Sequence, residues 1–241
     1  MTVRKRTSQG GFTLVELAVV LLIIGLIVGG ILRGQELITS AQLNSVQTET
    51  NQIRTATNTF RDRFQALPGD FSDAGLIDQS GLNNALDDGN ENGRIDGSRV
   101  GTAGDEGNQF WAHLGASGLL DGVDADDIAG NGLSGANAFE AAVGGFYSIG
   151  QGAPGAFAGN ISNRDPWFVL ATGGANDAGN VTSHDVGVLD PEGAAQLDRK
   201  MDDGNADAGN VRGGASGGSC VGGNGDYDVD SNGDCGLAMR L

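Results

Sequence analysis

A single carboxylate, Glu16, lies inside an apolar run that extends from Phe12 to Leu32. A charge at the centre of a lipid-embedded helix costs roughly 2.5–3.5 kcal/mol, so such a residue is read first as functional. Its chemistry would be charge pairing. A cation nearby favours the ionised carboxylate and offsets the cost of an unpaired buried charge. The plainer reading places Glu16 near the lipid headgroups, where it costs little. Cys220 and Cys235 are the second candidate pair. The third is a set of short Asp/Asn/Gly strings whose side-chain oxygens suit a hard cation.

The two cysteines have no third partner and sit in a loop-rich region beyond the apolar run. That pattern reads as a disulfide formed in an oxidising compartment. Closing a loop of about 15 residues is worth roughly 3 kcal/mol in the chain-entropy model. Two free thiols or half of a metal site are the alternatives. No CxxC accompanies the pair, and only His113 and His184 could join it.

Among the acidic strings, Asp88-Gly89-Asn90-Glu91-Asn92-Gly93 has the D-x-N-x-N-G form, and Asp96 follows. Asp228-Val229-Asp230-Ser231-Asn232-Gly233 has the D-x-D-x-N-G form, inside the expected disulfide loop. Asp203-Gly204-Asn205-Ala206-Asp207 is a looser third. Alternating oxygens around a tight turn fit calcium, and the candidate ligands are Asp88, Asn90, Asn92, Asp96, Asp228, Asp230 and Asn232. Loop position 12 falls on Arg99 and Met239, so neither string is an EF-hand. Any affinity is expected to be weak or completed by another segment. The same strings are ordinary Asx-turn chemistry, and the sequence leaves both readings open.

Catalysis finds little support. Gly214-Ala215-Ser216-Gly217-Gly218 matches G-x-S-x-G formally, but it lies in a glycine run without a strand before it or a helix after it. His113, beside Trp111, reads as a packed surface histidine rather than a base. The chain is therefore not expected to be an enzyme. Its net charge is −17. Removing Arg4, Lys5 and Arg6 leaves about −20. Phosphate binding is driven by Lys and Arg, so nucleic acid is not an expected partner.

These residues need elements to place them. Phe12–Leu32 gives the length of about 20 residues that a membrane-crossing helix requires. Arg4, Lys5 and Arg6 precede it, and such residues stay cytoplasmic. A secretory signal would be cut after its apolar run. Here the small residues Gly10 and Gly11 come before it. Past Leu32 the helical pattern continues: Leu37, Ala41, Asn44, Thr48 and Ile53 give one stripe, and Leu43, Val46, Ile53, Ala56, Phe60 and Phe64 give another. Pro68 disfavours helix just before it, so the helix should end near Ala66-Leu67. A helix over residues 12–66 would be roughly 80 Å long. Gly25 and Gly29, then Gly30 and Gly34, form small-xxx-small pairs that permit close helix packing.

The remainder, residues 67–241, is rich in Gly, Asn and Asp. Phe110–Leu114 reads as a short helix ended by Gly115 or Gly118. Phe146–Ile149 and Trp167–Ala171 read as strands, and Val186–Leu189 as a further one. Pro191–Asp202 reads as a helix with Pro at its first position and Gly204 after its end. The expected fold class is α+β: a long amino-terminal helix feeding a small, loop-rich head with an antiparallel sheet.

Gly10-Gly11-Phe12-Thr13-Leu14-Val15-Glu16-Leu17, with the apolar run behind it, resembles the processing and assembly signal of type IV pilins and type II secretion pseudopilins. The resemblance covers about the first tenth of the chain. It implies that a prepilin peptidase removes residues 1–11, cutting after Gly11, and methylates the new amino terminus of Phe12. It implies that Glu16 neutralises that terminus on a neighbouring subunit in a filament. The precursor would cross the inner membrane once, with its head in the periplasm. The filament would be extracellular or periplasmic. Closing a carboxy-terminal loop with a disulfide also resembles these proteins. So do Leu67-Pro68-Gly69-Asp70 and Lys200-Met201-Asp202-Asp203-Gly204, more loosely. Many pilins carry a proline within the apolar run, and this chain has none between Phe12 and Leu67. The leading expectation is a structural filament subunit. The alternatives are a minor or tip pilin, a membrane-anchored adhesive module, and, from another class, a secreted hydrolase with an uncleaved anchor.

Overall fold

The computed structural model describes residues 13–77, 81, 86–96, 103–133, 137–151, 165–171, 187–214 and 220–241. They form two units, Met1–Ala41 and Gln42–Leu241. Helix α1, Leu14–Phe64, contributes to both. The class is α+β, as expected.

In the second unit, α1 buries Leu43, Val46, Thr50, Ile53, Ala56, Thr57 and Phe60. This is the Leu43–Phe64 stripe, and two threonines join it. The hydroxyls of Thr50 and Thr57 donate to the carbonyls of Val46 and Ile53, at 2.9 and 2.8 Å, so both are satisfied when buried. Leu37 and Ala41 of the other stripe are exposed. The helix stops at Phe64, two residues before the expected end. Gln65 takes φ 59° and its side chain donates to the Asp62 carbonyl at 2.9 Å, closing the last turn ahead of Pro68.

Four antiparallel strands make one sheet. They are β1 (Phe146–Gln151), β2 (Pro166–Ala171), β3 (Val211–Gly214) and β4 (Gly236–Arg240), in the order β1-β2-β4-β3. Phe146 pairs with Ala171 and Gln151 with Pro166; Trp167 pairs with Arg240 and Leu170 with Leu237; Val211 pairs with Met239. Trp167–Leu170 and Gly236–Met239 are buried without alternation. Successive side chains face opposite sides of a sheet, so the two central strands are covered on both faces. The sequence signals found β1 and β2. They missed β3 and β4, whose Val-Arg-Gly-Gly and Gly-Leu-Ala-Met-Arg carry little intrinsic strand preference. The strand expected at Val186–Leu189 is corrected: Leu189 forms only an isolated bridge to Cys235, and Val186 lies outside the described residues.

Three short helices complete the head: α2 (Glu106–Ala116), α3 (Ala125–Asn131) and α4 (Pro191–Met201). Pro191 opens α4, and the Asp190 side chain accepts from the Gly193 amide at 2.8 Å. Arg199 and Lys200 occupy its last turn, where cations suit the helix dipole. Helix α2 is buried from Glu106 to Leu114. His113 is therefore not on the surface, contrary to the sequence reading; it is fully buried. Its Nδ1 accepts from the Gly69 amide at 3.0 Å and its Nε2 lies 3.1 Å from the Asp87 carbonyl, so the neutral imidazole satisfies both. A Cβ at Gly69, which has φ 84°, would strike the Glu106 carbonyl oxygen. The glycine is what lets the chain after α1 lie against α2.

Cys220 and Cys235 form the expected disulfide, with Cα atoms 5.2 Å apart. The bridge ties the loop before β4 to the start of the last strand. Val188 N and Leu189 N both donate to the Cys235 carbonyl. Tyr227, inside the disulfide loop, donates from its hydroxyl to buried Asp198 on α4 at 2.9 Å.

Two titrations of opposite sign follow from this packing. Burial lowers the His113 pKa to about 4. Its contribution to stability is complete above pH 6.5 and is lost as the pH falls through 4; the full linkage is on the order of 3 kcal/mol. Burial raises the Asp198 pKa to about 6. That contribution is complete below pH 3.8 and is lost as the pH rises through 6. The windows overlap, so each hides the other. In melting curves of the detergent-solubilised chain, His113→Gln should gain melting temperature relative to wild type as the pH falls from 6.5 to 4. Asp198→Asn should lose it over the same range. Curves parallel to wild type would refute both assignments. Cys220→Ser should lower stability by about 3 kcal/mol, seen as a lower melting temperature. Labelling of both cysteines without prior reduction would contradict the bridge.

Candidate functional site

The first unit is the exposed part of α1. Leu14, Val15, Leu17 and the apolar side chains up to Ile38 are each 48% exposed or more. This stretch is long and apolar enough to cross a membrane. Isolated soluble proteins rarely leave so large a contiguous apolar surface uncovered. A Cβ added at Gly25, Gly29, Gly30 or Gly34 would meet nothing within 4 Å, so no contact among the described residues requires those glycines.

Glu16 has a local partner that the sequence analysis overlooked. Thr13 precedes the helix, and its backbone amide donates to Glu16 Oε2 at 2.8 Å. The Thr13 hydroxyl donates to the same oxygen at 2.8 Å, and the Glu16 amide donates back to Thr13 Oγ1 at 3.3 Å. This is a reciprocal capping box, and the T-x-x-E spacing that builds it was visible in the sequence. It satisfies amides that open the helix, and the helix dipole favours a carboxylate at that end. Glu16 Oε1 has no hydrogen-bond partner among the described residues. One carboxylate oxygen is thus held locally by Thr13. Gly11 and Phe12 lie outside the described residues.

In the head, the acidic strings have different fates. The loop of residues 87–96 wraps around two carboxylates from elsewhere. Asp70 Oδ1 accepts from Asn92 N at 2.9 Å and Oδ2 from Gly93 N at 2.8 Å. Glu106 Oε1 accepts from Asn90 N at 3.0 Å and Oε2 from Asp96 N at 2.7 Å. Burial raises the pKa of both, and the loop amides offset this in part. A Cβ at Gly89 would strike the Asp70 backbone, so the loop can close only with glycine there.

The candidate ligands in this loop each accept a hydrogen bond. Asp88 Oδ1 accepts from Ala74 N at 2.8 Å, at the short 3-10 helix Ala74–Leu76. Asn90 and Asn92 accept from amides two residues on, as Asx-turns do. Asp96 accepts from Asn92 Nδ2 at 2.6 Å and pairs with Arg94 at 3.5 Å. The residues that organise the loop, Asp70 and Glu106, were absent from the sequence-based candidates. The available signals were an acid directly after the helix-ending Pro68-Gly69 and an acid opening α2.

The loop of residues 226–234 is exposed at Asp226, Asp230 and Asp234. Asp228, Asp230 and Asn232 supply two carboxylates and an amide rather than three carboxylates. Among the described residues, one such group occurs: Asp198, Asp202 and Asp203, whose ligand atoms lie within 4.8 Å of one another. Their oxygens already accept from the Tyr227 hydroxyl and from the amides of Gly204, Asn205, Asn210 and Val211. Position 12 of the second string, Met239, is a buried residue of β4. Ser216, Gly217, Arg99 and His184 lie outside the described residues.

The family model of the prokaryotic N-terminal methylation motif matches residues 6–32. No curated protein and no solved structure matches the chain. The matched segment runs from the leader through the apolar half of α1, so it contains Gly11, Phe12 and the Thr13–Glu16 capping box. The motif implies processing by a prepilin peptidase and assembly with other pilin subunits. It points to a structural subunit rather than an enzyme, and the exposed apolar helix is consistent with a membrane-anchored precursor. Residues 6–32 are the N-terminal methylation motif that marks type IV pilin and pseudopilin precursors, and this chain carries it ahead of an α+β head closed by a disulfide.

Proposed function

We propose that the mature chain begins at a methylated Phe12 and serves as a structural subunit of a type IV pilus or type II secretion pseudopilus. The observation that carries this reading is an apolar helix with no cover of its own, opened by a carboxylate with one oxygen to spare. A carboxylate that is half satisfied crosses lipid at less cost than a bare one. Its open oxygen can then take the positive amino terminus of a neighbouring Phe12 as helices leave the bilayer for a filament core. The precursor sits in the inner membrane with its head in the periplasm. Its partners are the prepilin peptidase and other pilin subunits. A minor or tip subunit presenting the acidic head is the second reading, favoured by the loop-rich surface. Abundance in sheared filaments separates them: a major subunit is plentiful there and a tip protein is scarce.

Capping and charge pairing at Glu16 can be separated. Glutamine can keep the capping box but carries no charge. Glu16→Gln should still insert and be cut after Gly11, yet lose filament incorporation as severely as Glu16→Ala. Mass spectrometry of the amino terminus and the yield of sheared filaments are the readouts. Normal yield from Glu16→Gln would leave Glu16 a helix cap alone. A mature chain that still starts at Met1 would refute the processing.

We also propose that the head takes calcium weakly. The support is the form of the Asp88–Asp96 and Asp228–Asn232 strings and a net charge near −20 that a divalent cation would relieve. Chelation should lower the melting temperature of the solubilised chain, and calcium should restore it by mass action. Sodium at matched ionic strength should not. Equal rescue by sodium would reduce the effect to charge screening. Asp88→Ala, Asp202→Ala and Asp228→Ala, compared separately, locate the site.

A further inference from the structure

Three of the head's cationic side chains share one groove. Arg54 and Arg61 lie seven residues apart on α1, two turns along one face. With Arg240 of β4 they line a groove of about 560 Å³. Met201 and Leu241 add apolar surface. None of the described residues lining this groove is an Asp or Glu. Arg240 pairs with Asp165 at 2.8 Å, and Arg54 donates to the Arg240 carbonyl at 2.6 Å. Arg54 is half-buried, and its pKa is lowered by burial, with no carboxylate acting on it. The exposed Arg61 guanidinium has no ion-pair or hydrogen-bond partner among the described residues. Arg61 and Arg240 also line an adjoining groove, whose acids are Asp70, Glu91 and Asp165.

The complement exists on the same chain. In the second unit, Leu76 and Val229 are the described large apolar side chains left exposed, and Val229 is 55% exposed. It lies between Asp228 and Asp230, on a loop held by the Cys220–Cys235 bridge. The side chains of Asp228, Asp230 and Asp234 have no hydrogen-bond or ion-pair partner among the described residues. An apolar residue between two carboxylates that lack partners among the described residues matches a groove lined by three arginines with Met201 and Leu241.

We propose that the Arg54–Arg61–Arg240 groove of one subunit receives the Asp228-Val229-Asp230 loop of a second copy. Asp228 and Asp230 meet Arg54 and Arg61, and Val229 meets Met201 and Leu241. Groove and loop are different surfaces, so the contact is heterologous. Repeated without closing a ring, it propagates a filament. It would also draw together heads whose net charge otherwise repels. The inference rests on the subunit reading above and names the contact between heads.

The test uses the full-length chain with a photo-crosslinking amino acid in place of Arg61, in membranes treated with a chelator. An isotope-mixed population distinguishes adducts between copies from adducts within one. The expected adduct joins position 61 of one copy to the 226–234 peptide of another. An adduct confined to one chain, to lipid, to another protein or to another part of the head overturns the proposal. Charge exchange gives a second readout. Arg61→Glu should cut the yield of sheared filaments about tenfold, as losing a close charge pair does. Asp230→Arg in the same chain should restore most of it. Arg63→Glu makes the same change in charge two residues away and should stay within about twofold of wild type, as isolated surface charges do. Wild-type yield from Arg61→Glu overturns the contact. Absence of the wild-type chain from filaments would instead refute the subunit reading, and the crosslink would still report whether the groove takes the loop.

Discussion

One helix has to satisfy two environments. From Leu14 to Phe64 the backbone of α1 is continuously helical, and no proline interrupts it. Its side chains to Ile38 are apolar and exposed, whereas from Leu43 onward one face is core and the other is polar. A helix can change its surroundings without a break because its backbone hydrogen bonds are internal. The side chains alone decide where it is soluble. The capping box at Thr13 and Glu16 follows from the same constraint. Amides at the start of a helix have no intrahelical partner, and Glu16 accepts from that of Thr13.

The head solves a different problem. Its sequence offers many glycines and few aromatics, so it has little apolar surface with which to fix long loops. It fixes them with buried carboxylates. Asp70 and Glu106 each accept two loop amides, and Asp198 accepts from Gly204 N and the Tyr227 hydroxyl. These bonds order backbone that no sheet or helix satisfies. The cost is visible in the raised pKa values of all three acids. Much of the Asp/Asn/Gly content is thus turn and capping chemistry. Glycines such as Gly69 and Gly89 are needed where two backbones touch.

Charge then distinguishes the surfaces. The chain as a whole is acidic, and most of its carboxylates lie on loops of the head. Arg54, Arg61 and Arg240 gather where α1 meets the last strand. Segregated charge of this kind orients encounters between like molecules, even though the net charge of each would separate them. The disulfide, with Tyr227 packed in the core, holds an exposed acidic loop in a defined place.

The long amino-terminal helix was legible in residue order alone. Hydropathy, helical period and the Gly11–Glu16 spacing are local properties, and a helix depends on neighbours four residues away. The α+β class, β1, β2, α2, α4 and the disulfide were legible too, because aromatic and β-branched clusters, a Pro start and a lone cysteine pair are local signals. Residues far apart in the chain decided the rest. Strands β3 and β4 exist because the sheet accepts them: Ala238 pairs with both Val169 and Arg212. His113 became a core residue because Gly69, 44 positions earlier, donates to it. The D-x-N-x-N-G string became a loop held by Asp70 and Glu106 because tertiary packing supplied those acids. Short motifs record which atoms a segment offers; only the fold determines which partners reach them, since long-range contacts carry no fixed spacing in the chain.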